Sequence, residues 1–217
     1  QGVSSAASDV YKRQPQSCPY VYASGTSQGN LVDIANDSYN SYVWLLGKFS
    51  ATTYDSSYAA VSNFPSSGSF ANTPTSISYD SIFKRMFICL TSQLDYVDVT
   101  TSTYNAGVYT SFSGNVSNII VKNSLIAAID ETNGALDVID SGTLNLLGTC
   151  YLGTLSSSKI DIDTSNYAYV VTTADNTLYV VDLISQTSTV HFAVGSSYNI
   201  DVLYVPSNGY VYILEYG

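Results

Sequence analysis

The sequence predicts an all-β chain of stacked four-stranded antiparallel units, a β-propeller. Three observations carry this: apolar segments recur at a fixed spacing, the same polar turn follows each of them, and each unit holds four strand-sized runs. LDYVDVTT (94–101), LDVIDSGT (136–143) and LYVVDLIS (178–185) place Leu94, Leu136 and Leu178 at intervals of 42 residues. Asp98, Asp140 and Asp182 keep the same intervals, and Thr101, Thr143 and Ser185 follow them by three. LVDIAN (31–36), with Asp33 and then Asn36 at that offset, reads as an earlier copy. It stands 65 residues before Asp98, one period plus 23, and the surplus is assigned to an irregular insertion over about 57–75.

Each unit divides in the same way. In the third, KIDID (159–163), YAYVVTT (167–173), TLYVVD (177–182) and STVHFAV (188–194) are strands separated by TSN, ADN and a polar turn. NIIVK, LIAAID, ALDVID and LNLLGTCYL form the second unit; TSISY, RMFICL, LDYVDV and YNAGVYTSF form the first. NIDVLY and YVYILEY begin a further unit that stops after two strands. At the other end YVYAS, NLVDIA and YVWLLGKF read as strands two to four of a unit without its first strand. The expected blades are therefore about 16–56, 76–114, 117–155 and 158–196, with a partial blade at 198–217. Long apolar runs replace strict alternation, so both faces of the sheets are expected to be covered. Repeats of 40 to 45 residues built this way suit a propeller, here expected to be truncated at both ends, oligomeric or poorly soluble when isolated.

LYVVDLISQTSTVHFAVG (178–195) resembles the YVTN-type propeller repeat, in which a VYVID strand, a short polar turn and an apolar strand ending in VG follow one another. VGSSYNIDVLYVPSNGYVYILE resembles that family's passage into the next blade. The resemblance extends over about 76–217 and loosely over 20–49; it implies the architecture and leaves the activity open. WD-repeat, kelch and Asp-box signatures do not occur, and Trp44 is the only tryptophan. GVSSAASDVYKRQ (2–14) resembles translated sequencing-adaptor read-through, so residues 1–15 are set aside as an artefactual or disordered segment.

Composition narrows the function classes. Only 11% of the 217 residues are charged, 20 are tyrosine, and 17 acidic against 7 basic residues give a formal charge of −10. That balance, without a basic stripe, disfavours nucleic acid. No apolar stretch reaches membrane-span length. Cys18, Cys89 and Cys150 form no CxxC pattern. Cys89 and Cys150 lie in apolar strand-like runs and read as buried thiols, with a disulfide between one pair open if the protein is secreted.

The recurring Asp33, Asp98, Asp140 and Asp182 read as structural. A carboxylate ending the third strand accepts hydrogen bonds from turn amides, and a catalytic carboxylate is needed once, not once per blade. DIDTSN (161–166) lacks the glycine and glutamate of a calcium loop, and DETNG (130–134) reads as a hairpin turn. His191 is the only histidine, which removes multi-histidine metal sites and leaves a catalytic triad a single candidate base. The lactonases among propellers like the YVTN type use clustered His, Arg and Glu, whereas Arg85 here is the only arginine outside the adaptor-like segment. No catalytic residue, metal ligand or cofactor is assigned. Asn36 and Asn115 head N-glycosylation sequons. Loop tyrosines such as Tyr39, Tyr54 and Tyr198 suit an interface with protein or carbohydrate. The expected function is a non-catalytic extracellular or cell-surface binding and scaffold domain. The alternatives are a subunit of a surface layer or filament, and a lactonase-like hydrolase with its site in further blades.

Overall fold

A computed structural model of the chain describes residues 30–66, 68–193 and 198–216. They form eighteen strands and no helix, arranged as four four-stranded sheets and one two-stranded sheet. Sheet one comprises β1 (Leu31–Asp37), β2 (Tyr42–Gly47), β3 (Ala51–Tyr54) and β4 (Ala60–Phe64). Sheet two comprises β5 (Pro74–Asp80), β6 (Arg85–Leu90), β7 (Gln93–Asp98) and β8 (Thr103–Tyr109). Sheet three holds β9 (Val116–Lys122), β10 (Leu125–Asp130), β11 (Ala135–Asp140) and β12 (Leu146–Tyr151). Sheet four holds β13 (Lys159–Ile162), β14 (Tyr167–Thr172), β15 (Thr177–Asp182) and β16 (Thr187–Ala193). β17 (Tyr198–Val205) and β18 (Tyr210–Tyr216) pair as the fifth. Within each sheet the strands lie side by side in chain order and pair antiparallel.

The first sheet corrects the sequence reading. NLVDIA is not a third strand: β1 is the first strand and YVWLLG the second. The stretch assigned to an insertion contains the fourth strand, Ala60–Phe64. The third strand, ATTY, has Ala51 where the other units have Leu94, Leu136 and Leu178, and Thr53 where they have Tyr96, Val138 and Val180, so it lacks the apolar run by which the others are recognised. Asp55, just after it and 43 residues before Asp98, is the true first member of the aspartate series. The first two units thus keep the period, with no 23-residue surplus. YVYAS and Cys18 lie outside the described residues.

Strand alternation sends successive side chains to opposite neighbours, and four clusters fill the four gaps between the sheets. Met86, Ile88 and Leu90 face Trp44, Leu46 and Phe64 of sheet one. Phe87 and Cys89, from the same strand, face Ile126, Ala128 and Ile139 of sheet three. Leu125, Ala127 and Ile129 turn the other way onto Ile160, Ala168 and Val170 of sheet four. Val171 and Leu178 meet Val202 of the last hairpin. This two-sided burial explains the continuous apolar runs. Cys89 and Cys150 are buried free thiols, and burial pushes the Cys89 thiol up to about 12, which leaves it unreactive.

The first strand of each sheet lies beside the first strand of the next. Asp33 Oδ2 accepts from Ile77 N (3.0 Å) and Ser76 Oγ (2.9 Å). Val121 N donates to Ser78 Oγ (2.9 Å), Lys122 Nζ donates to Ile162 O, and Tyr204 N donates to Asp161 Oδ2 (2.7 Å). Asp33 therefore does not close a turn; it joins two sheets, because it sits on the innermost strand. These partners are 40 to 44 residues apart, so the inner strands all run in the same direction.

Candidate functional site

Parallel inner strands put the hairpins after every first and third strand at one end of the molecule. The sequence builds these hairpins with aspartate. After third strands, Asp98 Oδ1 accepts from Thr100 N (2.9 Å) and Thr101 N (3.2 Å). Asp140 Oδ1 accepts from Gly142 N (3.0 Å) and Thr143 N (2.6 Å), and Asp182 Oδ1 from Ile184 N (2.9 Å) and Ser185 N (3.2 Å). Asp55 Oδ1 takes Ser57 N (2.8 Å) and Ala59 N (3.0 Å). After first strands, Asp37 takes Tyr39 N (2.8 Å), Asp80 takes Ile82 N (2.8 Å), and Asp163 takes Ser165 N (2.7 Å). This second series escaped the sequence reading, although Asp37 and Asp80 are 43 residues apart. Short side chains that accept from amides two residues on hold the tips in one conformation.

Fixing the turns this way presents large apolar side chains at the tips. Tyr39, Ile82 and Ile184 sit two residues after their aspartates and are 54%, 55% and 64% exposed; Tyr58 and Phe83 are exposed beside them. Lys84 Nζ lies 5.7 Å from the Tyr39 ring centroid and links the first two inner hairpins. Arg85 bonds Ser141 O (2.8 Å) and Gly142 O (3.2 Å) and lies 4.7 Å from the Tyr96 ring, which fixes the β11–β12 hairpin against sheet two. The one described arginine is thus a structural clasp.

Hydrogen bonds to the ionised form hold four turn carboxyls below their ordinary value. The main donor is the Ser57 hydroxyl for Asp55, the Thr100 hydroxyl for Asp98, the Thr143 amide for Asp140 and the Ile184 amide for Asp182. A depressed folded-state pKa stabilises the fold above the unfolded carboxyl value, and that contribution is lost as pH falls through the folded one. Asp98→Asn with Asp140→Asn is therefore expected to weaken the protein near neutral pH and to flatten the acid limb of its stability, measured by melting between about pH 2 and 7.

Two further carboxylates, missed at the sequence level, are buried on third strands 42 residues apart. Asp95 takes Gln93 Nε2 (2.8 Å), Gly107 N (2.7 Å) and the Tyr104 hydroxyl. Among the described residues Asp137 takes only the Thr149 hydroxyl (2.6 Å), and burial raises its pKa. A raised carboxyl costs stability as pH climbs from the unfolded value through the folded one. Asp137→Asn is expected to raise the melting temperature near pH 7 and to lose that advantage near pH 3, as thermal scans at both values will show.

Other candidates resolve into structure. Asp161 holds the neighbouring inner strand, and Asp163 closes its turn and accepts the Tyr169 hydroxyl (3.0 Å). Asp130 caps the DETNG hairpin through Asn133 N (3.1 Å). His191 pairs with Tyr179 in β16. Among the described residues no group of His, Cys, Asp and Glu is placed to hold a metal ion. No described helix is long and apolar enough to cross a membrane. Asn115 is exposed on the loop joining sheets two and three, at the end opposite the hairpins that follow first and third strands; Asn36 is exposed on β1.

Sheets of four strands in chain order, packed face to face with every first strand innermost, decide the architecture. The chain folds as a β-propeller. Solved structures agree. Kuenenia stuttgartiensis hydrazine synthase superposes with a TM-score of 0.69 at 15% identity, over 88% of this chain and 58% of that one. The β-propeller domain of Cps50 (Swd1) from Myceliophteria thermophila superposes with a TM-score of 0.68 at 10% identity, over 86% of this chain and 63% of that one. The propeller thus spans less than two thirds of either chain, and at these identities the likeness is one of fold alone. No family model matches the propeller, and no curated protein matches it.

Proposed function

We propose that this propeller, of the YVTN-type repeat, is a non-catalytic binding and scaffold domain that takes a protein partner on the rim of Asp-closed hairpins. The observation that carries this reading is the run of exposed Tyr39, Tyr58, Ile82, Phe83 and Ile184 on tips that their own carboxylates immobilise. Exposed aromatic and aliphatic groups on pre-ordered loops gain contact area at small entropic cost, and the ring of carboxylates supplies a polar border. The reading includes an extracellular or cell-surface setting, with Asn115 glycosylated at the opposite end, where a glycan leaves the rim free.

The test is affinity capture from the medium and surface extract of the source organism, using the intact chain and a Tyr39→Asp, Ile82→Asp, Ile184→Asp variant. A partner retained by the wild type and lost by the variant is the expected result. Retention that survives these changes and is lost on replacing Phe49 and Tyr151, exposed at the opposite end, contradicts the reading. A second reading, assembly into a surface layer or filament, is favoured by exposed Leu31 and Ile34 on β1 and Leu203 and Leu214 on the last hairpin. Sedimentation distinguishes the two: concentration-dependent growth supports assembly.

A further inference from the structure

The first and last described sheets each carry, unfilled, a face that is filled inside the stack. Every sheet turns one face to the sheet before it and the other to the sheet after it, and the positions repeat. On second strands, Phe87 and Cys89 stand two and four residues after Arg85 and face the following sheet. Tyr169 and Val171 hold the same places after Tyr167 and face the last hairpin. Tyr212 and Leu214 hold them after Tyr210, yet both are exposed, as is Leu203, which pairs with Tyr212. In sheet one, Val43 and Leu45 follow Tyr42 as Met86 and Ile88 follow Arg85, the positions that face a preceding sheet. Ile34 pairs with Leu45 on that face, and Leu31, Ile34 and Val43 are exposed there.

An open hydrogen-bond position marks the last hairpin as a joint of the same kind. Asp33 Oδ1 accepts from the next amide of its own strand, Ile34 N (2.8 Å), while Oδ2 accepts from Ile77 N of the following inner strand. Asp161 repeats the posture, with Ile162 N (2.7 Å) on Oδ1 and Tyr204 N on Oδ2. Asp201 of β17 takes Val202 N (2.9 Å) on Oδ1, and among the described residues its Oδ2 has no partner. Asp201 is exposed, so an incoming strand can reach it. It pairs with Leu214, which places it on the same open face as Leu203 and Tyr212.

We propose that a second copy of this chain docks its first sheet on this face, head to tail, with a backbone amide of its β1 bonded to Asp201. The proposal rests on the assembly reading above and names the contact that builds it. Sheet one fits because it is the described sheet whose face toward a preceding sheet is open, and its apolar residues occupy the positions that fill the internal gaps. Asn36 follows Asp33 by three residues, as Tyr204 follows Asp201, so the Asn36 amide takes the place of the Tyr204 amide that Asp161 holds. Inner strands then continue in one direction across the joint. The joined faces are unlike, so the contact repeats from copy to copy and either closes a ring or extends a filament.

Sedimentation velocity of the intact chain at rising micromolar concentration tests the contact. The chain is assayed unglycosylated, because Asn36 pairs with Val43 on the docking face and a glycan there would cover it. The wild type is expected to grow beyond the monomer. Leu203→Glu with Leu214→Glu blocks one face and Ile34→Glu blocks the other; all three side chains are exposed, so the fold is retained. Each variant alone is expected to stay monomeric, and an equimolar mixture of the two is expected to form a dimer and nothing larger. Asp201→Ala is expected to weaken assembly about tenfold. A wild type that stays monomeric overturns both this contact and the assembly reading. Growth of the wild type with self-association of either blocked variant, no dimer in the mixture, or undiminished assembly of Asp201→Ala overturns the head-to-tail contact alone.

Discussion

Replacing Phe87 with alanine is expected to lower the unfolding free energy by about 3–5 kcal/mol, among the largest effects of any single substitution in this chain. Phe87 is fully buried on β6 and faces the third sheet, where it packs with Ile126, Ala128 and Ile139 and meets Tyr96 edge-on at 5.7 Å. Its neighbours on the strand, Met86 and Ile88, face the first sheet instead. The truncation therefore opens a void in one gap and leaves the adjacent gap packed. Denaturant titration of the intact chain measures the loss. Ile88→Val, on the opposite face, removes one methyl and is expected to cost about 0.5–1.5 kcal/mol. A loss below about 1 kcal/mol for Phe87→Ala would contradict its full burial between the second and third sheets.

Gly134→Ala is expected to cost about 2–5 kcal/mol, from left-handed strain together with steric overlap. Gly134 ends the DETNG hairpin with φ at +62°, and a Cβ placed on it would lie 1.7 Å from the carbonyl oxygen of Gly153. The approach is close because Gly134 O accepts from both Leu152 N (2.8 Å) and Gly153 N (3.2 Å), which ties the chain leaving β12 to this turn. Asparagine tolerates the left-handed region better than alanine but carries the same Cβ. Gly134→Asn is therefore expected to be nearly as harmful, and thermal melting of the two variants compares them. Recovery of stability in the asparagine variant would show that φ alone governs the position.

The parts of the fold legible in the sequence were those in which apolar periodicity and turn chemistry coincide. Asp98, Asp140 and Asp182 follow strands of Val, Ile and Leu, so strand and turn announce each other. The first unit broke that coincidence. Its third strand, ATTY, has no apolar signal, and LVDIAN imitates one, which moved the reading by two strands and created an insertion where β4 lies. Asp33 was misplaced for the same reason: a strand-end aspartate and an inner-strand aspartate look alike until the neighbouring strand is known. Asp95 and Asp137 repeat at the same period, but a polar residue within an apolar strand carries no local sign that Tyr104 or Thr149 will satisfy it. The rim was hidden differently. Tyr39, Ile82 and Ile184 belong to different units, and only the parallel inner strands bring their hairpins to one end.

The central claim is that residues 31–64 form a complete first sheet whose inner strand is Leu31–Asp37 and whose outer strand is Ala60–Phe64. Amide hydrogen exchange of the intact chain tests it most directly. The account predicts slow exchange at Thr53 and Ser62, inside the paired β3 and β4, and at Ile77, whose amide is held by Asp33. Substituting Asp33 with alanine should speed exchange at Ile77 and leave the β3–β4 pair protected. Fast exchange throughout Ala60–Phe64, with Ile77 indifferent to the loss of Asp33, would contradict it.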